Sequence, residues 1–321
     1  MSYLRGDVRN SVLIFLLAIA AGSPSDLRLP LKPKSVRFAV IGDSGTGEKP
    51  QYEVGRQLAE FHTAFPFDFV IMLGDNLYGG EGSDDFKRKF EDPYKPLLDA
   101  GVKFYASLGN HDDPNQRFYK PFNMDGKRYY TFTRGNVQFF ALDSNYMDPD
   151  QLKWVQNELS ASSAAWKICF FHHPLYSHGK IHGSDKDLRA RLEPMFERFG
   201  VSVVFSGHDH IYERLNPQNG IFYFVEGSSG QLRPRGLRAS GDTAKGYDTD
   251  RTFELAEISG DEMYFQTISR TGQTVDSGNL HRRWPTEPLS GADSRATLPL
   301  IRLSQMSCAQ SGTFAGLAIL E

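Results

Sequence analysis

The stretch FDFVIMLGDNLY, residues 67–78, is typical of an apolar strand that ends in a polar turn. Five consecutive apolar residues, 69–73, predict a strand buried on both faces. Asp75 follows the strand, and Tyr78 comes three residues later. Taken alone, a Gly-Asp pair is usually a turn and the tyrosine a packing residue. A chemical role for either side chain depends on the residues at the ends of the other strands.

Outward from this stretch, apolar strands alternate with amphipathic helical patterns. The strand segments are SVRFAVIGDSG (35–45), VKFYASLGNHDD (102–113), WKICFFHHPLYS (166–177) and VSVVFSGHDH (201–210), and helical patterns cover 51–65, 148–161 and 184–200. Residues 128–145 predict a hairpin that turns at Gly135-Asn136. Residues 221–279 predict an antiparallel meander. This order indicates an α/β sandwich.

Composition narrows the class of protein. The 321 residues are 40% hydrophobic and 13% aromatic, enough to bury a large core. The net charge of −3 gives no basic field, so no nucleic acid partner is expected. With only two cysteines, Cys169 and Cys308, we expect no disulfide framework, and Cys169 in an apolar strand predicts a buried thiol.

The N-terminus resembles a secretory signal. Arg5 and Arg9 precede an apolar run at residues 12–21, and small residues follow it. The run is too short for a stable membrane span, and a buried N-terminal helix is the alternative. We therefore expect residues 1–30 to be a signal peptide and leader of a secreted or periplasmic protein. We predict no structure for residues 282–321, where the periodicity stops.

Polar side chains of the metal-ligand kind follow five of the strands. They are Asp43 in GDSG, Asp75 in GDNLY, Asn110 and His111 in GNHD, His172 in FHHP, and His208 with His210 in GHDH. Because loops at the carboxyl ends of strands converge on one crevice, these side chains are expected to meet there. Each motif alone could be a turn, but their joint occurrence in this order predicts a metal centre.

In these blocks the sequence resembles the calcineurin-like metallophosphoesterases. The form with GDxxY and D-x-G resembles the purple acid phosphatases, in particular the small single-domain, tartrate-resistant type. The resemblance covers roughly Val36 to Leu280. It implies a catalytic domain at residues 31–281 with a four-layer α/β/β/α sandwich of mixed sheets and a dinuclear centre at the sheet edge.

The resemblance also implies a ligand set. It assigns Asp43, Tyr78 and His210 to one metal, Asn110, His172 and His208 to the other, and Asp75 to a bridging position. The hard oxygens of the first group suit Fe(III), and the imidazoles of the second suit a divalent ion, Fe, Zn or Mn. The family's ligand lies two residues before the proline, which selects His172 and leaves His173 beside the site. Since neighbouring strand residues face opposite sides, both cannot easily bind one ion.

The resemblance further implies the proton-handling groups. His111 is the candidate general acid, with support of the ligands as its alternative role, and Asp112 is expected to orient it. A second, substrate-side histidine is His182, although its spacing from His172 implies a one-residue insertion. His178 is the alternative for that role.

The implied activity is acid hydrolysis of phosphate monoesters, on small molecules or proteins. A phosphodiesterase of the same superfamily is the first alternative, but that branch usually shows D-x-H and lacks the tyrosine equivalent to Tyr78. The second alternative is a non-catalytic extracytoplasmic binding protein. Arg233, Arg235 and Arg238 lie in a polar, Gly-rich loop, where they either attract an anionic substrate or are merely solvated.

Overall fold

The computed structural model describes residues 26–282. Its strands are β1 (Val36–Ile41), β2 (Phe69–Met72), β3 (Lys103–Ala106), β4 (Tyr130–Arg134), β5 (Val137–Ala141), β6 (Trp166–Phe170), β7 (Val203–Ser206), β8 (Tyr212–Leu215), β9 (Phe222–Glu226), β10 (Thr243–Tyr247), β11 (Thr252–Ser259), β12 (Glu262–Ser269) and β13 (Thr274–His281). Its α-helices are α1 (Lys49–Ala64), α2 (Ser83–Phe86), α3 (Lys95–Asp99), α4 (Pro149–Ala161) and α5 (Lys186–Phe199). No helix in this range is long and apolar enough to cross a membrane.

The strands form two mixed sheets. The first has six strands in the order β13-β12-β11-β1-β2-β3, and β1, β2 and β3 run parallel. The second has seven in the order β10-β8-β9-β7-β6-β5-β4, in which the four adjacent strands β9, β7, β6 and β5 run parallel. Parallel strands point their carboxyl ends to the same edge of their sheet. The loops that follow β1–β3 therefore share one edge of the six-stranded sheet, and those that follow β6 and β7 share one edge of the seven-stranded sheet.

The two sheets pack face to face, with helices outside. In β6, Ile168 and Phe170 belong to the core between the sheets, whereas Cys169 joins the core beneath α4 and α5. Ring contacts such as Phe38 with Phe139, at 5.2 Å between centroids, join β1 to β5 across the interface. This alternation, with α1 packed on the outer face of the first sheet, confirms the four-layer α/β/β/α arrangement.

Local sequence explains the ends of several elements. Asp148 caps α4 by accepting a hydrogen bond from Gln151 N–H, and Asp185 caps α5 through Leu188 N–H. The predicted hairpin is confirmed: Arg134 pairs with Val137 across a two-residue turn in which Gly135 has a φ of 56°. The expected buried thiol at Cys169 is also confirmed.

The meander prediction for residues 221–279 was wrong in part. β9 lies in the seven-stranded sheet, whereas β11 and β12 lie in the six-stranded sheet, so the chain changes sheets between them. The loop with the three arginines is followed by a strand, β10, that the sequence did not predict. Its residues TAKGY are too polar to show a strand pattern, and the strand is half exposed. Residues 1–25 of the predicted signal and residues 283–321 of the tail, including Cys308, lie outside the described residues.

Candidate metal centre

The loops after the parallel strands bring all seven predicted ligands together. Asp43, Asp75 and Asn110 follow β1, β2 and β3 of one sheet, and His172 and His208 follow β6 and β7 of the other. Tyr78 and His210 lie on the same loops as Asp75 and His208. Tight packing holds the loops in register: a Cβ on Gly109 would lie 2.1 Å from Asp75 Oδ1, so only glycine fits there.

Three of these residues have unusual backbone conformations. Asp43, Asp75 and His208 have φ values of 51°, 50° and 70°, in the left-handed region that non-glycine residues rarely adopt. Each such residue costs about 1 kcal/mol or more and persists where the surrounding structure demands it. The side chains of all three residues belong to the ligand clusters.

The first cluster contains a phenol, a carboxylate and an imidazole. Tyr78 Oη lies 3.1 Å from Asp43 Oδ1 and 3.3 Å from His210 Nε2. His210 Nε2 is in turn 3.4 Å from Asp43 Oδ1. Ligand atoms of Asp43, Asp75 and His210 all lie within 4.8 Å of one another. Oxygen and nitrogen donors gathered so closely can surround a single cation.

The second cluster contains two imidazoles and an amide. His172 Nε2 lies 2.9 Å from Asn110 Oδ1 and 3.0 Å from His208 Nδ1. The other ring nitrogen of His172, Nδ1, is 2.9 Å from the carbonyl oxygen of Leu73, so a neutral His172 carries its proton there. Its Nε2 therefore directs a lone pair at the amide oxygen of Asn110. Facing lone pairs repel, and a cation between them resolves the conflict, so these residues fit a metal.

Asp75 lies between the clusters. Its Oδ1 is 3.4 Å from His172 Nε2 of the second cluster, while its carboxylate also belongs to the group formed with Asp43 and His210. The backbone N–H of His111 donates to the same oxygen at 3.0 Å. Among the described residues, no lysine or arginine forms an ion pair with Asp43 or Asp75, so no side-chain cation other than histidine balances them.

The electrostatics fit a cation in the same way. Burial, followed by the charge of Asp75, raises the pKa of Asp43 well above its usual value. Burial lowers the pKa of His172 and of His208, and neighbouring imidazoles lower both further. Burial also lowers the pKa of His210 to about 4, with Arg233 as the next cause. A bound cation would favour the ionised carboxylates and the neutral imidazoles, which are the forms that bind metals.

His173 lies beside the second cluster, as expected, and its ring faces the same side as the ligands. Nitrogen atoms of His172, His173 and His208 lie within 4.8 Å of one another, and the His173 ring centroid is 4.4 Å from that of His208. The expected alternation of faces fails because β6 ends at Phe170, before the two histidines. His173 is held by Ser144, whose Oγ lies 2.8 Å from its Nδ1.

The remaining histidines separate into two kinds. The His111 ring lies 5.0 Å from the Tyr78 ring, and the His182 ring lies 4.0 Å from the His208 ring, both exposed at the mouth of the site. His178 instead binds the buried carboxylate of Glu213, with its Nδ1 2.7 Å from Oε1. The structure thus brings His111 and His182 to the site and gives His178 a structural partner.

Two acids hold the loops of the site together, a role that the sequence did not reveal. Asp209, between the two histidines of GHDH, accepts hydrogen bonds from Ser177 Oγ at 2.6 Å and Gly183 N–H at 2.9 Å, which fixes the loop that carries His182. Asp112 accepts from Leu77 N–H and Gly109 N–H, and so joins two ligand loops. The expectation that Asp112 orients the His111 ring was wrong: its oxygens accept from these N–H groups and from the side-chain amides of Asn76 and Gln116, and among the described residues none bonds to that ring.

Of the three arginines in the polar loop, Arg233 lies nearest the site. Its backbone N–H donates to the carbonyl of His210 at 2.9 Å, and its charge lowers the pKa of His210 and His182, after burial. Arg238 binds the carbonyl of Gly179 at 2.6 Å. Arg235 is exposed, and its own carbonyl accepts from Lys180 Nζ. Positive charge is therefore concentrated on the His210 side.

Comparison with known proteins identifies relatives that are phosphatases. Tartrate-resistant acid phosphatase type 5 of Rattus norvegicus is 24% identical over 300 residues, covering 78% of this chain and 91% of its own. Purple acid phosphatase 17 of Arabidopsis thaliana is 29% identical over 240 residues, covering 63% of this chain and 70% of its own.

Solved structures share the fold at low sequence identity. A purple acid phosphatase from yellow lupin (Lupinus luteus) seeds matches 80% of this chain and 57% of its own, with a TM-score of 0.65 and 19% identity. GAP50, the anchor in the inner membrane complex of Plasmodium, has the same TM-score of 0.65 with 20% identity, and the match covers 78% of this chain and 90% of its own.

The family comparison covers the strands and loops that carry the two clusters. The model of the calcineurin-like phosphoesterases matches residues 36–212, from the first residue of β1 to just beyond His210. This segment is more than half of the 321 residues and contains all seven side chains of the site. The chain therefore belongs to the calcineurin-like phosphoesterase family.

Proposed function

We propose that this protein is an acid phosphatase that hydrolyses phosphate monoesters at a dinuclear centre of Fe(III) and a divalent ion. The observation that carries the proposal is the position of Tyr78, whose hydroxyl lies 3.1 Å from Asp43 Oδ1 and 3.3 Å from His210 Nε2. A phenol at this distance from a carboxylate and an imidazole supports a hard, trivalent cation as their common partner.

In this proposal each cluster holds one ion and Asp75 joins them. Asp43, Tyr78 and His210 would hold the ferric ion, and Asn110, His172 and His208 the divalent ion, which is Fe, Zn or Mn. Three anionic ligands against five positive charges leave a site that attracts phosphate. Two ions held by these residues would lower the pKa of bound water and neutralise charge on the phosphoryl oxygens.

The chain's own side chains then handle the substrate. His111 and His182 lie exposed on either side of the clusters, where each can donate a hydrogen bond to a phosphate oxygen or a proton to the departing alkoxide. The charge of Arg233 near His210 and His182 favours the dianion of a monoester. Asp209 keeps His182 in place through Ser177 and Gly183.

The same residues bear on two alternative functions. A phosphodiesterase would not need the phenol, and Tyr78 sits within the first cluster rather than in the apolar core. A non-catalytic binding protein is the second alternative, since GAP50, which shares the fold, is described as an anchor. Loss of a metal-binding residue would indicate a non-catalytic protein, but all seven metal-binding positions keep a suitable residue in this chain.

The first test compares two substrates of the purified protein. Turnover of an aryl phosphate monoester should exceed that of the corresponding bis-aryl diester near pH 5 to 6, since the monoester can give the positive site a second anionic oxygen and the diester cannot. A preference for the diester would support the phosphodiesterase instead. No turnover of either, in protein containing two metal ions per chain, would support the binding protein.

The second test is a visible spectrum with metal analysis. We expect about two ions per chain, one of them iron, and a purple colour from charge transfer between the phenolate of Tyr78 and Fe(III). The Tyr78→Phe variant should lose the colour, whereas Tyr264→Phe, on β12 away from the site, should keep it. A coloured Tyr78→Phe protein, or one zinc and no iron, would contradict the assignment.

We also propose that the protein acts outside the cytoplasm, on the strength of the basic and apolar pattern in residues 5–21. N-terminal sequencing of the protein recovered from its native cells tests this. A mature N-terminus beginning after the small residues near 18–23 is expected, and an intact Met1 in the recovered protein would refute it.

A further inference from the structure

A cleft of about 420 Å³ opens beside the second cluster and is not explained by the ligand set. Its lining includes Asn110, Asp143, Ser144, Tyr146, His173 and Asp185. Because Asn110 is a candidate metal ligand, the cleft shares a wall with the site that would bind phosphate. Its size suits a ring-sized organic group attached to that phosphate.

The cleft presents an exposed aromatic ring on a rigid loop. Tyr146 is 60% exposed, yet its carbonyl accepts a hydrogen bond from the buried side chain of Gln151 at 3.0 Å. Its neighbour Asn145 donates to the carbonyls of Leu108 and Gly109 at 3.2 and 3.1 Å, which ties the loop to the Asn110 loop. A ring held in this way can stack on a ligand with little loss of conformational entropy.

The titratable residues that line the cleft are acidic apart from His173. Arg128 pairs with Asp143 at 2.8 Å and with Asp148 at 3.0 Å, so the carboxylate of Asp143 is balanced. Asp185 is different: it caps α5, and among residues 26–282 no lysine or arginine forms an ion pair with it.

The third acid of the lining, Asp112, accepts hydrogen bonds from Leu77 N–H and Gly109 N–H, and the lining contains no lysine or arginine. Arg128 also lies over the Tyr146 ring, 5.8 Å from its centroid, but it is already paired with two carboxylates. Asp185 therefore disfavours an anionic group in the cleft.

We propose that this cleft is the subsite for the leaving group, in which Tyr146 favours uncharged aromatic groups and Asp185 disfavours anionic ones. The inference rests on the proposed phosphatase function and specifies which esters that site prefers. Arg233 supports this orientation, with the phosphate dianion towards His210 and the organic group over Tyr146, because it is bonded to His210 of the first cluster and does not line the cleft. Aryl phosphates without a further negative charge are then the preferred substrates, and compounds with an anionic leaving group, such as nucleoside di- and triphosphates and other anhydrides, are poor ones.

The aromatic part of the proposal is tested with Tyr146→Ala on the metal-loaded protein. We expect kcat/KM for phenyl phosphate to fall about fivefold and that for glycerol 2-phosphate to change by less than about twofold. Comparing each substrate between wild type and variant cancels their different intrinsic reactivities. Phe118→Ala removes an equally exposed ring, 62% exposed, that does not line the cleft, and should change neither value.

The charge part is tested with Asp185→Asn, which retains the helix cap because asparagine caps as well as aspartate. We expect kcat/KM for 4-carboxyphenyl phosphate to rise about threefold relative to phenyl phosphate, and the gain to shrink in high salt. Asp187→Asn removes a neighbouring acid from the first turn of α5 that is outside the cleft, and should leave the ratio unchanged.

Binding provides a readout that does not depend on turnover. Titration calorimetry of the metal-loaded protein should show phenylphosphonate binding more tightly than methylphosphonate, and Tyr146→Ala should remove the difference. Equal effects of Tyr146→Ala on both phosphate esters, or an unchanged substrate ratio in Asp185→Asn, would overturn the subsite. Failure of the wild type to hydrolyse any monoester would instead refute the proposed function, so the two failures are distinguishable.

Discussion

At the scale of single residues, the position of a side chain in the loops decides its role more than its type does. His178 and His182 are four residues apart, yet His178 binds the buried carboxylate of Glu213 and His182 lies against His208. The difference arises because Asp209 accepts a hydrogen bond from Gly183 N–H and so draws the backbone next to His182 into the site. Sequence spacing alone left both histidines as candidates.

Alanine variants of these two histidines should behave differently. His182→Ala should lower kcat/KM for a monoester about 100-fold if it supplies a proton, and the basic limb of the pH–rate profile, where a general acid loses its proton, should change with it. His178→Ala should retain activity within about threefold but lower the melting temperature, since Glu213 loses its imidazole partner. Unchanged turnover in His182→Ala would leave the acid role to His111 alone.

At the scale of secondary structure elements, short polar links between a helix and a loop shape the site. Gln151, buried in the first turn of α4, accepts from Asp143 N–H at 2.8 Å and donates to the carbonyls of Asp143 and Tyr146. The N-terminus of α4 thereby fixes residues 143–146, which form one wall of the cleft. An amide is needed at position 151, because only an amide can both accept and donate in this place.

Replacing that amide should destabilise the protein. Gln151→Ala leaves two buried backbone groups of Asp143 and the half-buried carbonyl of Tyr146 without their partner, and we expect the free energy of unfolding to fall by about 2–3 kcal/mol. Urea denaturation at fixed metal content measures the change. Gln156→Ala, at an exposed position of the same helix, should stay within about 0.5 kcal/mol of the wild type. Equal midpoints for the two variants would contradict the role of Gln151.

At the scale of the whole molecule, the core between the sheets is not entirely apolar. Glu254 of β11 is fully buried, and one of its oxygens, Oε1, has no hydrogen-bond partner. The other oxygen accepts a hydrogen bond from Thr267 on the neighbouring strand at 3.3 Å. Burial raises the pKa of Glu254 well above its usual value, and the charges of Glu226 and Asp276 raise it further. A neutral carboxyl group at this place is compatible with the core, whereas a charged one is not.

Stability should therefore fall as pH rises. The folded state holds the proton of Glu254 more tightly than the unfolded chain does, so its contribution is present below about pH 4.5 and is lost progressively above it. Glu254→Gln should reduce the decrease in melting temperature between pH 5 and pH 8. Glu60→Gln, on the exposed face of α1, should follow the wild type. Parallel curves for wild type and Glu254→Gln would refute the prediction.

Local sequence was sufficient for much of this protein. Residues 35–45, 67–78 and 201–210 each show an apolar strand followed by a ligand type, because burial in a parallel sheet demands continuous apolar runs. The hairpin at Gly135 and the caps of α4 and α5 also follow from local chemistry. The polar strand β10 could not be predicted from the sequence, because it is an edge strand and edge strands need no hydrophobic pattern.

Only the tertiary structure decided how these pieces act together. The sequence determined the order of strands, the ligand types and the family resemblance, since each depends on neighbours in the chain. It did not determine that β9 and β11 lie in different sheets, that His173 approaches His208, or that Tyr146 stands exposed beside Asn110. Those contacts join residues far apart in the chain, and they exist only after two sheets have packed and brought separate loops to one edge.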